Sequence, residues 1–273
     1  MRVSTALLIS FVLVGCHREA AVAFGRRAAP AQVEVSSTQQ LSLQLTVGLG
    51  EDVEPQTHET SATLRARVER TGGAHIVRWL EHSGVNALEG RSFSVNGSQA
   101  LSVETGVALE REQAADTLGI ALGVVGPDAV QVALMKEPQS MTGASPHLDA
   151  AFALLAHRAL GESAVVEKAT LRLESASETV ATFSASLESV TSSGPVTMRT
   201  QLHGTLEVRR ADTLPLVLTL EGPVEVTSEP SDDEPRVSGK GTLSLSRRVV
   251  PLESADESTV VSASERLRAM FHE

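Results

Sequence analysis

Three runs between residues 196 and 245 alternate apolar and polar residues over lengths that only extended chain can use, and they restrict the fold more than any other feature. Val196, Met198, Thr200, Leu202, Gly204, Leu206 and Val208 share one parity. Leu214, Leu216, Leu218, Leu220, Gly222, Val224 and Val226 share the next, and Val237, Gly239, Gly241, Leu243 and Leu245 the third. A period of two places each set on one face of a strand. In the first run Thr197, Arg199, Gln201, His203, Thr205, Glu207 and Arg209 fall on the other face. The run over 214–226 measures about 43 Å at strand rise, so a sheet of such strands must twist, with its inward glycines as bending points. The expected fold is mainly β (α+β): a long curled antiparallel meander, or a partial barrel, with one or two covering helices. Pro215 and Pro223 lie on the polar parity and mark bulges or a break, because proline brings no N–H to a ladder.

The same period recurs earlier in the chain. Leu41, Leu43, Leu45, Val47 and Leu49 alternate with polar residues, as do Ala62, Leu64, Ala66 and Val68. Thr71-Gly72-Gly73 makes a hairpin turn into a strand over 75–80. Phe93 and Val95, then Leu101, Val103, Val107 and Leu109, predict short strands; 169–173 and 181–187 predict longer ones. The apolar run over 118–125 and the next one through Leu134 and Met135 fit central strands, with helix as the alternative. One helix is well signalled over 146–160. Ser145 suits its N-cap and Pro146 its first turn, Leu148, Phe152, Leu155 and Ala159 recur on one face, and Gly161 suits its end. Beyond Pro251 the chain predicts an acidic tail, with Ser262 and Glu265 as the capping box of a brief helix carrying Leu267, Met270 and Phe271.

The N-terminus supplies an address. After Arg2, residues 6–14 are apolar apart from Ser10, a run too short to span a bilayer, so 1–15 reads as an export signal. Leu13-Val14-Gly15-Cys16 resembles the lipobox of bacterial lipoproteins. That resemblance implies diacylglycerol on the Cys16 thiol, cleavage after Gly15 and acylation of the new amine. It also implies a lipid-anchored place in the bacterial cell envelope. His17 stands where an aspartate often retains such proteins in the inner membrane, so the outer membrane is favoured in a Gram-negative host. Two or three acyl chains make attachment durable where one is marginal. Cleavage removes Arg2 and takes the formal charge from −11 to −12. The chain then divides into the signal at 1–15, a lipidated tether at 16–38 and a sheet-rich half at 39–140. The helix and long-stranded sheet follow at 141–250, then the tail at 251–273. Within the tether, 19–24 is short enough for only a transient helix, and Arg18, Arg26 and Arg27 read as solvated charge near the lipid. Thr63-Leu64 and Thr205-Leu206 open similar strand–turn–strand runs, a faint echo between halves.

Motifs that carry chemistry are scarce in this sequence. None of the eight histidines forms a His-Glu-x-x-His motif, and Cys16 is the only cysteine. Gly161-Glu162-Ser163 is followed by Val165 where a nucleophile elbow needs glycine. Gly239-Lys240-Gly241 lacks the long approach and hydroxyl of a phosphate loop, and Asp232-Asp233 lies in a hydrated hairpin loop. His75 and His82 flank Trp79 and read as accessible hairpin histidines; His203 reads as exposed. The acidic balance argues against a nucleic-acid partner, and aromatics at 3% leave few stacking surfaces for sugars. No cofactor, metal or catalytic residue is indicated. The expected role is non-enzymatic: a membrane-anchored envelope lipoprotein with a structural or protein-binding part. The alternative is a lipid or amphiphile carrier whose cavity is lined by Phe152, Leu155, Leu214, Leu216, Leu218 and Leu220. Its partners would be the membrane through the lipid, and an envelope protein or apolar ligand.

Overall fold

The computed structural model describes residues 21–25, 30–49, 52–71, 74–83, 88–96, 99–110, 117, 129–141, 143–160, 164–228 and 236–252. Every strand in them joins one antiparallel sheet. In chain order these are β1 (Gln32–Leu49), β2 (Asp52–Thr71), β3 (Ala74–His82), β4 (Ser92–Asn96), β5 (Gln99–Ser102), β6 (Ala164–Ala176), β7 (Val180–Ser193), β8 (Val196–Arg209), β9 (Pro215–Ser228) and β10 (Arg236–Leu252). Their spatial order is β5-β4-β3-β2-β1-β10-β9-β8-β7-β6, so the sheet is open, with β5 and β6 at its edges. Two helices, α1 (Ala129–Lys136) and α2 (Pro146–Leu160), lie on the one connection that runs from edge to edge.

The long alternating runs become β8, β9 and β10, and their parity holds. Leu202, Leu206, Leu218, Leu220, Val224 and Leu243 are all buried, while the intervening residues of β9 after Val217 face out. Both prolines act as their chemistry requires. Pro215 opens β9 at a register shift against β8, between Glu207 and Val208. At Pro223 the β8–β9 ladder skips from Thr200↔Val224 to His203↔Glu221 before resuming in the same register. The bend expected at glycines is concentrated on a diagonal. Gly204 pairs with Leu220, Gly222 with Leu243 and Gly241 with Leu43, a step of two residues per strand. A Cβ on Gly204, Gly222 or Gly241 would run into the backbone oxygen of Thr219, Gln201 or Ser42 respectively. Strands approach this closely only where the sheet is creased.

Several sequence expectations are corrected. The run ending at Leu134 and Met135 is α1, with Val130, Gln131 and Leu134 buried on one face; residues 118–128 lie outside the described residues. The spacing of Val130 and Leu134 suits a helical stripe, and a short, mostly apolar run of eight residues does not by itself separate helix from strand. The tether is shorter than 16–38, because β1 begins at Gln32 and pairs along its length with both β2 and β10. Val33 and Val35 are buried, and they extend the alternation N-terminally past the polar Ser36–Gln40 stretch that hid it. Val103 and Val107, expected in strands, stand 53% and 65% exposed around Gly106, whose φ of 70° forms a turn. Thr63 and Thr205, which open the two similar runs, lie on β2 and β8.

The core forms two clusters on the inner face. α2 buries Leu148, Ala151, Phe152, Leu155 and Ala156, a helical stripe, against β6–β9, with Val130 and Leu134 of α1 beside it. Ser145 caps α2, its Oγ accepting from the Leu148 amide at 3.3 Å. Asp149 ties the helix to β6, accepting from the Leu171 amide at 2.9 Å and from both Arg172 terminal nitrogens, at 2.6 and 3.1 Å. The second cluster holds Val33, Val35, Ala66, Val68, Val77, Trp79, Phe93 and Val95, joined by Leu214 and Val249.

Candidate functional site

The strand directions give the molecule two poles. The β2–β3, β6–β7 and β8–β9 connections share one, with the start of β1 and the end of β10. The β1–β2, β7–β8 and β9–β10 connections share the other. Cys16 lies outside the described residues. The chain that follows it is described from Ala21, and it is docked at the first pole. Val22 and Gln139 exchange backbone hydrogen bonds, N–H to O at 2.7 and 2.9 Å, joining this segment to the loop between α1 and α2. Phe24 stacks on the buried Phe183 ring at 6.1 Å between centroids. Arg210 donates to the Ala23 carbonyl, from Nε at 3.4 Å and Nη2 at 3.2 Å, and to the Ser177 carbonyl. The Gly25 amide donates to the Arg210 carbonyl at 2.6 Å. Residues 21–25 are therefore an extended clamp in place of the transient helix expected at 19–24. The alternation of Val22 and Phe24 with two alanines was the available signal, masked by its position in an Ala-rich linker.

Arg210 sits on a turn built for rigidity. Arg209 donates to Asp212 from Nε at 2.9 Å and from Nη2. That hydrogen bond, with the carboxylate's charge, holds the Arg209 guanidinium above its usual pKa against the opposing effect of burial. Asp212 also accepts from the Leu214 amide at 3.3 Å, across Thr213, whose φ of 58° is unusual for a β-branched residue.

The six residues expected around a cavity divide as follows. Phe152, Leu155, Leu218 and Leu220 meet in the cluster under α2, Leu214 belongs to the other cluster, and Leu216 packs at that cluster's margin. Leu155, Leu216 and Leu218 border a void of about 10 Å³, with Leu206, Pro215, Val217 and Val249 completing an aliphatic wall. Arg247 is the one charged residue on that wall. The seam between α2 and β9 is thus closed over a space the size of one water.

A larger groove, about 860 Å³, lies at the opposite pole. Gln44, Thr46, Thr57, Thr227 and Ser238 line it beside Leu45 and Val226, with Lys240 and Glu225 joined across it at 2.9 Å. Gly239, one step beyond the glycine diagonal, forms part of its floor. Lys240 itself is exposed. The groove itself has no local signal, since its walls come from four strands.

The remaining polar candidates are placed as follows. His82 is buried, with its ring edge-on to Trp79 at 5.0 Å, and so is not the accessible histidine expected. The bulge between Arg65 and Ala66 shifts the register of β2 against β3 at this point, and His82 pairs with Leu64. Trp79 Nε1 donates to Thr117 Oγ1 at 3.2 Å within the core. His203 is exposed on β8, as expected. Gly161-Glu162-Ser163 and Asp232-Asp233 lie outside the described residues. Among the described residues no three His, Cys, Asp or Glu side chains gather as metal ligands, and no helix is long and apolar enough to cross a membrane.

No family model and no curated protein matches the chain. Among solved structures it is similar to a lipovitellin structure concerned with lipid–protein interactions, at a TM-score of 0.39 and 8% identity over 85% of this chain. It spans about a quarter of that chain, 26%. A DUF1329 family protein from Desulfovibrio piger shows a TM-score of 0.19 and 9% identity, over 84% of this chain and 91% of its own. Neither likeness carries weight in the functional reading.

Proposed function

We propose that this chain is a non-catalytic envelope lipoprotein, tethered through acylated Cys16, that binds an acyl-chain amphiphile between α2 and the curled sheet. The observation that supports this reading is the seam itself. α2 lies on the only link between β5 and β6, so it straps an otherwise open concave face, and beneath it the wall is aliphatic except for one guanidinium. Hydrocarbon walls without directional contacts accept a flexible chain. Since the seam encloses only about 10 Å³, entry of a ligand in this reading requires α2 to lift from the sheet.

Native mass spectrometry of the mature protein, isolated from its own cells, tests the reading. A reproducible noncovalent fatty-acid or phospholipid mass is expected, and filling the seam with Leu218→Trp should abolish it. A ligand-free protein that also fails to take up a fluorescent fatty acid would refute carriage.

The far-pole groove favours a second reading, docking of a protein segment. Its mixed polar and aliphatic lining fits an extended peptide better than a lipid tail. A co-isolated protein released by Lys240→Glu, with no lipid present, would select that reading.

A further inference from the structure

The clamp at 21–25 and the distribution of charge together say how the body stands on its membrane. Only four residues separate Cys16 from Ala21, five Cα steps with a reach of at most about 18 Å. Because Val22, Ala23, Phe24 and Gly25 are fixed to the entry pole by the contacts above, that pole and no other is held at the bilayer. β10 alone measures about 55 Å along its contour, so the groove end projects away.

The outer face next to the entry pole carries arginines in an arrangement unfavourable by itself. Arg67 and Arg78 are direct cross-strand partners on β2 and β3, and like charges so placed repel. Arg65 and Arg248 flank Ser36 of β1 from either side on the same face. The carboxylates there are Glu34, which accepts from Arg65 at 2.9 Å, Glu69 and Glu81. Glu34 stands directly across β1 from Arg67 but turns its carboxylate to Arg65, and among the described residues no ion pair joins a carboxylate to Arg67, Arg78 or Arg248. At the pole, Arg210 gives its donors to carbonyl oxygens, which leaves its charge uncompensated. At the far pole the described carboxylates Glu167, Glu188 and Glu225 are each matched by a cation, Arg199, Lys168 and Lys240 respectively, so no comparable excess of positive charge stands there.

We propose that the arginine face of β10-β1-β2-β3 docks on an anionic phospholipid surface, so that the short anchor and the arginine charge hold the body in one orientation, with the grooved pole outward. A net-acidic body is repelled by such a surface as a whole, and it settles there only with its basic face turned inward. The phosphate layer supplies the counter-charge that the Arg67–Arg78 pair lacks. The proposal rests on acylation at Cys16.

The test uses the mature full-length lipoprotein on vesicles holding a quencher-bearing lipid. With the native thiol acylated, Ser246→Cys near the arginines and Thr227→Cys at the far pole each accept one fluorophore. On phosphatidylglycerol-containing vesicles we expect the Ser246→Cys label to be quenched several-fold more than the Thr227→Cys label. Phosphatidylcholine alone, high salt, or Arg67→Glu/Arg78→Glu/Arg248→Glu should narrow that gap without releasing the protein. Trp79 emission reports whether the triple variant is folded, and Arg67→Gln/Arg78→Gln supplies the same readout if it is not. Equal quenching of both labels on an acylated protein overturns the orientation alone. A free thiol at Cys16 overturns the anchor and the orientation with it. A dimer in detergent-free solution that the charge reversal dissolves assigns the face to a second copy instead.

Discussion

Replacing Gly222 by alanine tests the creased sheet directly, because the crease reverses the sign that strand chemistry otherwise gives. A glycine inside an ordinary strand is worse than alanine by about 0.5–1 kcal/mol, so Gly→Ala there stabilises. At Gly222 the new Cβ meets the Gln201 carbonyl oxygen, with the Gln201 carbonyl carbon at 3.0 Å and Leu202 Cα at 3.1 Å. All three are backbone atoms of the adjacent strand, with no flexible side chain to yield. Overpacking of this kind costs roughly 1–3 kcal/mol and more where nothing gives way. Taking about 3 kcal/mol, a chain of this size should lose roughly 6–12 °C in Tm. Gly204→Ala and Gly241→Ala meet backbone in the same way and should match it. Gly239→Ala should be milder, since one of its two closest contacts, at 2.6 Å, is the movable Leu45 Cδ2. Urea unfolding of the four variants, followed by Trp79 emission, gives the ranking. Wild-type or higher midpoints for Gly222→Ala and Gly204→Ala, with unchanged slope, would refute the crease.

Two further perturbations probe the strap and the clamp. Asp149→Asn leaves the Leu171 amide an acceptor but removes the charge from the Arg172 pair; with both side chains partly exposed, about 1–2 kcal/mol should be lost in urea unfolding. Arg210→Ala removes the donors to the Ala23 and Ser177 carbonyls, and amide exchange at Val22 and Gln139 should accelerate at least tenfold while exchange in β7 stays unchanged.

The sheet was legible because its strands are long and one-sided: parity alone placed Leu206, Leu218 and Leu220 inward and located the trouble at both prolines. The boundaries of α2 were legible because Ser145 and Pro146 announce its start. α1 was not, since eight mostly apolar residues carry no period long enough to separate helix from strand. The clamp was hidden for a related reason, as only Val22 and Phe24 alternate and what fixes them, Phe183 and Arg210, lies far along the chain. Neither the arginine face nor the groove has a linear signature. Arg67 and Arg78 become neighbours only through the β2–β3 register, and the groove only through four strands at once. His82 was misplaced because the bulge beside Arg65 shifts the register that would have kept it at the surface.

The pairing of β1 with β10 makes the first and last strands the middle of the sheet, joining residues 32 and 252. A growing chain that lacks its final strand therefore shows two long unsatisfied edges, on β1 and on β9, and has nothing to join its two meanders. Completion waits for the C-terminus, and contacts of such sequence separation form slowly. Truncation before Arg236 should leave both edges exposed and the chain prone to aggregation.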